Sequence, residues 1–325
     1  MSTHLFVSTS LGRYGFPEGH PLSVDRQGAF WRAARSRGLD SKVVLADMAP
    51  PATREAIERF HTAEYVDRVI EASRQGSGYL DYGDTPAFPG CYEVGAHVVG
   101  AALEGARRIM AGEARRSFQP IGGLHHARRG GAAGFCVFND PGVLIKTLRA
   151  EHGVRRIAYV DIDVHHGDGV FYEFEDDPDL VFVDIHEDGQ FLYPGTGSVH
   201  ETGTGAAEGS KLNLPMPPGA ADTLFLRAWE KAERFLEEAR PEFFIFQCGA
   251  DSLAGDPLAD LQLTPAAHRH AARRLVALAE RPRHTCAVRK HEARELAQGP
   301  RPVQPVPSVS DSSTAHHASD RFSRL

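Results

Sequence analysis

The chain has 325 residues, 42% hydrophobic and 24% charged, a balance that suits one large α/β domain or two ordinary ones. A formal net charge of -7 with no long basic run argues against nucleic acid as a direct partner. No stretch approaches the roughly eighteen apolar residues needed to span a bilayer, so no membrane partner is expected. Cys91, Cys136, Cys248 and Cys286 show no C-x-x-C spacing, which removes a disulfide framework and a cysteine-based zinc site. The N-terminus, M-S-T-H-L-F-V-S, lacks a basic segment followed by a long apolar one, so a cytoplasmic protein is expected.

Residues 4–8 read as a first short strand, followed by a Gly/Pro-punctuated loop over 12–21 that ends in E-G-H-P. Residues 24–38 read as a helix, with Arg26, Phe30, Trp31 and Ala34 on one face and Gly38 as its stop. A brief strand over 43–46 precedes helical periodicity over 53–73. Residues 76–90 form a loop too long to be a mere connection. Residues 93–110 are a helix rich in Ala and Gly, suited to close packing, and His97 within it reads as a packed residue rather than a ligand.

The next segments repeat one design. Residues 118–122 are read as a strand running into L-H-H-A. Asn139, Asp140 and Pro141 give a polar N-cap and an early proline for a helix ending near Gly153. Residues 157–161 and 180–185 are strands, and Asp222 is placed as the cap of a long amphipathic helix over 223–240. A strand over 243–247 ends in C-G-A-D, and Thr264-Pro265 opens a last helix to about Glu280. Short apolar strands alternating with helices predict a parallel sheet covered on both faces. Ligands bind such sheets beyond the carboxyl ends of the strands. His125-His126, Asp161/Asp163, His186 and Asp251 all fall at that edge. No internal repeat of solenoid length is present.

The stretch 159–169, Y-V-D-I-D-V-H-H-G-D-G, concentrates three aspartates and two histidines behind an apolar run. Side chains two apart on extended chain point the same way, so Asp161, Asp163 and His165 can share a face. Carboxylate oxygen and imidazole nitrogen together suit zinc or a similar divalent ion. A polar loop after a buried strand is the alternative, but so many ionisable groups packed there need a partner.

Four motifs in order, G-L-H-H-A-R-R-G-G-A-A-G-F-C-V-F-N-D, Y-V-D-I-D-V-H-H-G-D-G-V, F-L-Y-P-G-T-G and C-G-A-D-S-L-A-G-D-P-L, strongly resemble the zinc-dependent histone deacetylase family. The nearest flavour is its bacterial acetoin-utilisation deacetylase branch, and the resemblance covers roughly residues 4–280. It implies an arginase/deacetylase-like α/β domain, a three-layer parallel sheet with helices on both faces, that hydrolyses N-acetyl groups from lysine side chains. It places the metal ligands, for zinc or another divalent ion, on Asp163, His165 and Asp251. It places the paired active-site histidines on His125 and His126, with His126 as main acid/base and His125 as electrostatic support. Asp161 and Asp168 match the carboxylates that orient those histidines. Gly134, Phe135 and Tyr193 match the walls of the tunnel for the acyl-lysine stem, Asp84 the rim residue that grips substrate backbone, and Arg26 an arginine beneath the site. The resemblance further implies a potassium ion near the zinc, held by carbonyls of the D-x-D-x-H segment and a serine. Asp184 stands at that serine's position and departs from the family geometry.

A second departure concerns the family's glycine-rich G-G-G-G-Y turn, whose tyrosine hydroxyl polarises the substrate carbonyl. No tyrosine follows Tyr193, and no three consecutive glycines occur anywhere. The domain is therefore expected over 1–280 without its C-terminal strand and helices. Residues 281–325, with five prolines and Phe322 as their only aromatic, are expected to be a mostly disordered tail with at most a short helix over 287–298. A reading-frame disruption near Glu280 is favoured over a natural divergent tail. The expected function is zinc-dependent deacetylation of protein or small-molecule acetyl-lysine, impaired by loss of that tyrosine. A weakly active or inactive acyl-lysine binder and an acetylpolyamine-type amidohydrolase are the alternatives. Manganese ureohydrolase chemistry would need more carboxylates than these motifs supply. Oligomeric state is left open by the sequence.

Overall fold

The computed structural model describes residues 2–16, 19–46 and 49–281, so the expectations for the tail lie outside the described residues. Strands β1 (Thr3–Phe6), β2 (Val44–Ala46) and β3 (Arg116–Phe118) form a parallel sheet of order β2-β1-β3. Strands β4 (Ile157–Asp161), β5 (Leu180–Glu187), β6 (Lys211–Met216) and β7 (Phe243–Gln247) form a second parallel sheet of order β6-β5-β4-β7. The helices are α1 (Arg26–Ser36), α2 (Arg54–Ile57), α3 (Ala63–Gln75), α4 (Cys91–Met110), α5 (Asp140–His152), α6 (Asp168–Phe171), α7 (Asp222–Ala239) and α8 (Pro265–Ala279).

Alternation along β4 builds the three layers. Ile157 and Tyr159 join a core with Val98, Val99, Leu144, Ile145 and Leu148 from α4 and α5. Ala158 and Val160 join a second core with Phe225, Trp229 and Leu275 from α7 and α8. A strand apolar on both faces cannot sit at a water-exposed surface, so helices must cover both sides. The arginase/deacetylase-like α/β expectation holds, with the backbone ladder among the described residues divided into two sheets.

Three local expectations are corrected, and one strand is added. The strand placed at 118–122 ends at Phe118, and residues 119–122 are irregular, leading into Gly123 at φ +85. The helical run over 53–73 is two helices, because Thr53 and Thr62 each cap a new start, accepting from the backbone N–H of Ala56 and of Tyr65. Asp222 lies inside the first turn of α7. Its carboxylate accepts from the Thr264 N–H at 2.7 Å and hydroxyl at 2.6 Å, joining the starts of α7 and α8. Strand β6, K-L-N-L-P-M, was not foreseen. It takes an edge position, which accommodates Pro215, and Lys211 is buried with its Nζ donating to the carbonyls of Asp177 and Leu180 at 2.8 Å. Among the described residues, no helix is long and apolar enough to cross a membrane.

Candidate active site

Beyond the carboxyl end of β4, the chain leaves the strand through side chains that cap their own backbone. Asp161 Oδ1 accepts from the Asp163 N–H at 3.0 Å, and Asp163 Oδ1 accepts from the His165 N–H at 2.9 Å. The strand ends at Asp161, so Asp163 and His165 sit on a turned segment rather than on extended chain. The loop after β7 delivers Asp251, whose Oδ1 accepts from the Val164 N–H at 3.1 Å. Asp163, His165 and Asp251 each offer one ligand atom within 4.8 Å of the others. His165 Nδ1 lies 3.1 Å from an Asp163 oxygen and 3.2 Å from an Asp251 oxygen.

This donor set fits a divalent cation. Burial and the neighbouring Asp163 raise Asp251 to about 6, while His125 and His165 overcome burial to hold Asp163 well below the usual range. Two carboxylate oxygens and an imidazole nitrogen converging there are the donor types that a divalent cation takes. Gly249 makes the approach feasible, because a Cβ there would strike the Asp163 carboxylate. Gln247, from the end of β7, donates to Asp163 Oδ2 at 2.9 Å and to the Gly123 carbonyl at 3.1 Å.

His125 and His126 are buried beside this cluster and are fixed from the start of α5. Asn139 caps that helix through the Gly142 N–H at 2.8 Å and donates from Nδ2 to the carbonyls of His125 and Ala127. Asp140 accepts from the Gly123 and Leu124 N–H groups. The polar N-cap expected at Asn139 therefore has a second use: it grips the histidine pair. His125 Nδ1 faces Asp161 at 2.8 Å, and Asp161 also accepts from the Tyr159 hydroxyl at 2.6 Å. His126 Nδ1 faces Asp168 at 2.7 Å, and Arg128 donates to the other Asp168 oxygen at 2.9 Å. Burial works against a charge on His125, but Asp161 and Asp163 hold it above its ordinary value. Burial and the adjacent His125 push His126 down to about 4.

The wall and rim residues come from separate loops. Tyr193, about half exposed, stands edge-on to His126 with ring centroids 5.1 Å apart. Gly134 has φ +51, and a Cβ there would collide with the His126 ring. The Phe135 N–H donates to Thr85 Oγ1 at 3.1 Å, and its carbonyl accepts from the Tyr14 hydroxyl at 2.9 Å. Asp84 shares its turn with Asp81, whose Oδ1 accepts from the N–H groups of Gly83, Asp84 and Thr85. Burial and Asp81 raise Asp84 to about 6. Arg26 lies on α1 with Nε and Nη2 buried and without a hydrogen-bond partner. Asp184 is fully buried, its oxygens accepting from the Gly167 N–H at 2.8 Å and facing His186 Nδ1 at 2.7 Å.

The structure thus brings all eleven expected site residues to one edge, in three groups. Sequence reasoning missed His20, Tyr159, Asn139 as a grip, Gln247, Asp81 and Thr85. Only Tyr159 carried a usable signal, since it precedes Asp161 by two and shares its strand face. His20 could not be placed, because its partners are the Asp84 carbonyl at 3.2 Å and the Phe135 ring with centroids 4.6 Å apart.

The chain resembles known proteins over most of its length. Residues 20–289 match the histone deacetylase domain. The chain is 34% identical over 275 residues to the acetoin utilization protein AcuC of Bacillus subtilis, covering 81% of this chain and 70% of that protein. It is 35% identical over 278 residues to a histone deacetylase-like amidohydrolase of Pseudomonas aeruginosa, covering 81% and 72%. The crystal structure of a histone deacetylase homologue from Aquifex aeolicus superposes with a TM-score of 0.75 at 29% identity, covering 86% of this chain and 76% of that one. With two-histidine and three-ligand groups side by side on this fold, the chain belongs to the histone deacetylase family, a family of amide hydrolases, in the branch of the bacterial acetoin-utilisation protein.

Proposed function

We propose that the chain removes N-acetyl groups from lysine side chains, with zinc or a similar divalent ion held by Asp163, His165 and Asp251. An ion bound there supplies a Lewis acid for the amide carbonyl and lowers the pKa of water. The protein's own groups carry the protons. His126, its Nδ1–H committed to Asp168, presents a neutral Nε2 that accepts a proton from the attacking water and later returns one to the leaving amine. His125, held cationic against Asp161, stabilises the negative charge that develops on the carbonyl oxygen. Phe135 and Tyr193 give aromatic walls to a four-carbon stem, and Gly134 lets the chain approach His126 closely. Asp84 stands at the rim for the substrate backbone.

The observation that carries this reading is the pair of buried histidines, each backed by its own carboxylate, beside a three-ligand cluster. A fluorogenic acetyl-lysine assay with added zinc tests it. Turnover that disappears in His126→Ala supports hydrolysis, and a wild-type protein that binds an acyl-lysine ligand but never turns it over refutes it. The absence of any tyrosine after Tyr193 favours a slow enzyme. Loss of one carbonyl-polarising donor costs a factor of about 10²–10³ in rate.

A further inference from the structure

One buried ionisable pair lies outside the two histidine–carboxylate pairs and the Asp163, His165 and Asp251 set. Asp184 and His186 lie two residues apart on β5, both fully buried. Asp184 is in register with Asp161 on β4, so two carboxylates are adjacent in a region with no access to water. Such an arrangement is costly unless each charge has a partner. Asp184 reaches one through Nδ1 of His186 at 2.7 Å and directs its other oxygen to the Gly167 N–H at 2.8 Å. His186 Nε2 faces the Gly197 carbonyl at 3.0 Å, and because a carbonyl only accepts, Nε2 carries a proton and donates it.

The two ends of this relay belong to different parts of the site. Gly167 lies between the metal-binding His165 and Asp168, which holds His126. Gly197 closes the turn that begins at Tyr193, the aromatic that stands against His126. The turn is seated on the relay, since a Cβ at Gly197 would run into the His186 ring. A parallel tie runs beside it, from His166 Nδ1 to Thr196 Oγ1 at 2.8 Å, with the His166 and His186 rings 5.0 Å apart.

We propose that Asp184 and His186 form a positioning link that sets the Tyr193 wall against the metal-ligand segment, so that channel width and histidine geometry are fixed together. The link rests on the deacetylase reading of the site, and it adds residues outside the two histidine–carboxylate pairs and the Asp163, His165 and Asp251 set. It acts by geometry. His186→Asn keeps the bond to Asp184 but cannot reach Gly197. Asp184→Asn can keep all three contacts, its oxygen accepting from Gly167 and its amide donating to a neutral His186. Asp184→Ala loses both contacts of the carboxylate and leaves His186 only its bond to Gly197.

Steady-state kinetics, visible spectra of the cobalt(II)-loaded protein and affinity for a lysine-length hydroxamate test the link. The expected result for His186→Asn is a KM raised about tenfold, the loss of one hydrogen bond involving a charged group, with kcat changed less and the cobalt spectrum preserved. Asp184→Asn restores the KM that Asp184→Ala loses. In a double-mutant cycle on hydroxamate affinity, the His186→Asn loss vanishes once Tyr193→Ala has removed the wall. A His186→Asn protein within about twofold of wild type overturns the link, as do equal losses with and without the Tyr193 ring. If Asp184→Ala fails to fold, the His186→Asn cycle decides. A wild type that binds the hydroxamate without turning over acetyl-lysine refutes the deacetylase reading, and the same affinity cycle still decides the link.

Discussion

His125 and His126 turn their Nε2 atoms toward each other at 3.1 Å while their Nδ1 atoms diverge to Asp161 and Asp168. One Nε2 must donate and the other accept, so the two adjacent residues cannot have the same protonation state and cannot share one role. His126, pushed down by burial and by its neighbour, is the acceptor. His126→Ala should lower kcat by about 10²–10⁴, the range for a general acid/base. Asp168→Asn should lower it less, because the imidazole remains while its tautomer is no longer fixed. Stopped assays on both variants, with melting curves to confirm folding, check this; equal and small losses would remove His126 from the proton path.

Metal removal gives an independent reading. Dialysis against a chelator should abolish turnover, and readdition of zinc should restore it. Asp163→Ala, His165→Ala and Asp251→Ala should each bind zinc far below one equivalent by elemental analysis. Because a ligand at a hundredfold excess over its Kd adds about 2.7 kcal/mol, zinc should raise the melting temperature of the wild type by about 5 °C or more and leave Asp251→Ala unmoved.

The rim can be separated from the chemistry by substrate size. Asp84 lies on the turn organised by Asp81 and linked to Phe135 through Thr85. Asp84→Ala should raise KM for an acetylated peptide about tenfold, the scale of one charged hydrogen bond, and leave KM for free acetyl-lysine unchanged. Parallel kinetics on the two substrates measure it; an equal rise on both would place Asp84 in the fold rather than at the rim.

His61 predicts how stability responds to acid. It is buried behind the histidine pair, its Nε2 accepting from the Asn139 N–H at 2.9 Å and its Nδ1 facing the Arg129 carbonyl at 3.3 Å. Burial lowers it to about 4, from an ordinary 6.5. The folded protein therefore binds this proton less readily than the unfolded chain. The contribution is intact above about pH 6.5, falls as pH drops toward 4, and is lost below that, with a total on the order of 3 kcal/mol. His61→Gln can keep the Asn139 contact but cannot titrate, so its melting temperature should decline less between pH 6.5 and 4. Parallel declines in the two proteins would exclude His61 as the source.

The sequence was most legible where local chemistry and tertiary role coincide. The bounds of β4 and β7 follow from apolar runs ended by Asp161 and Gln247, and Asn139 and Thr264 cap the helices they were expected to cap. The site residues were legible because four motifs resemble one family. What failed was long-range. Lys211 gives β6 the look of a polar loop, and its burial is intelligible only from carbonyls at Asp177 and Leu180, about thirty residues away. Asp222 has the right residue type for a cap, but Thr264 claims its carboxylate. Residues 53–73 have one continuous periodicity, whereas Phe60 and His61 are drawn out of the helix to pack at the core.

The close seating of Gly249 against Asp163 has a consequence for genetic variation. A single base change can turn a glycine codon into one for alanine, valine or aspartate, and here even the smallest of these puts a methyl group into the ligand cluster. Alleles that silence this protein should therefore include residues with no chemistry of their own. A survey of inactivating mutations that sought only histidines and aspartates would miss the position at which one added carbon displaces the Asp163 carboxylate.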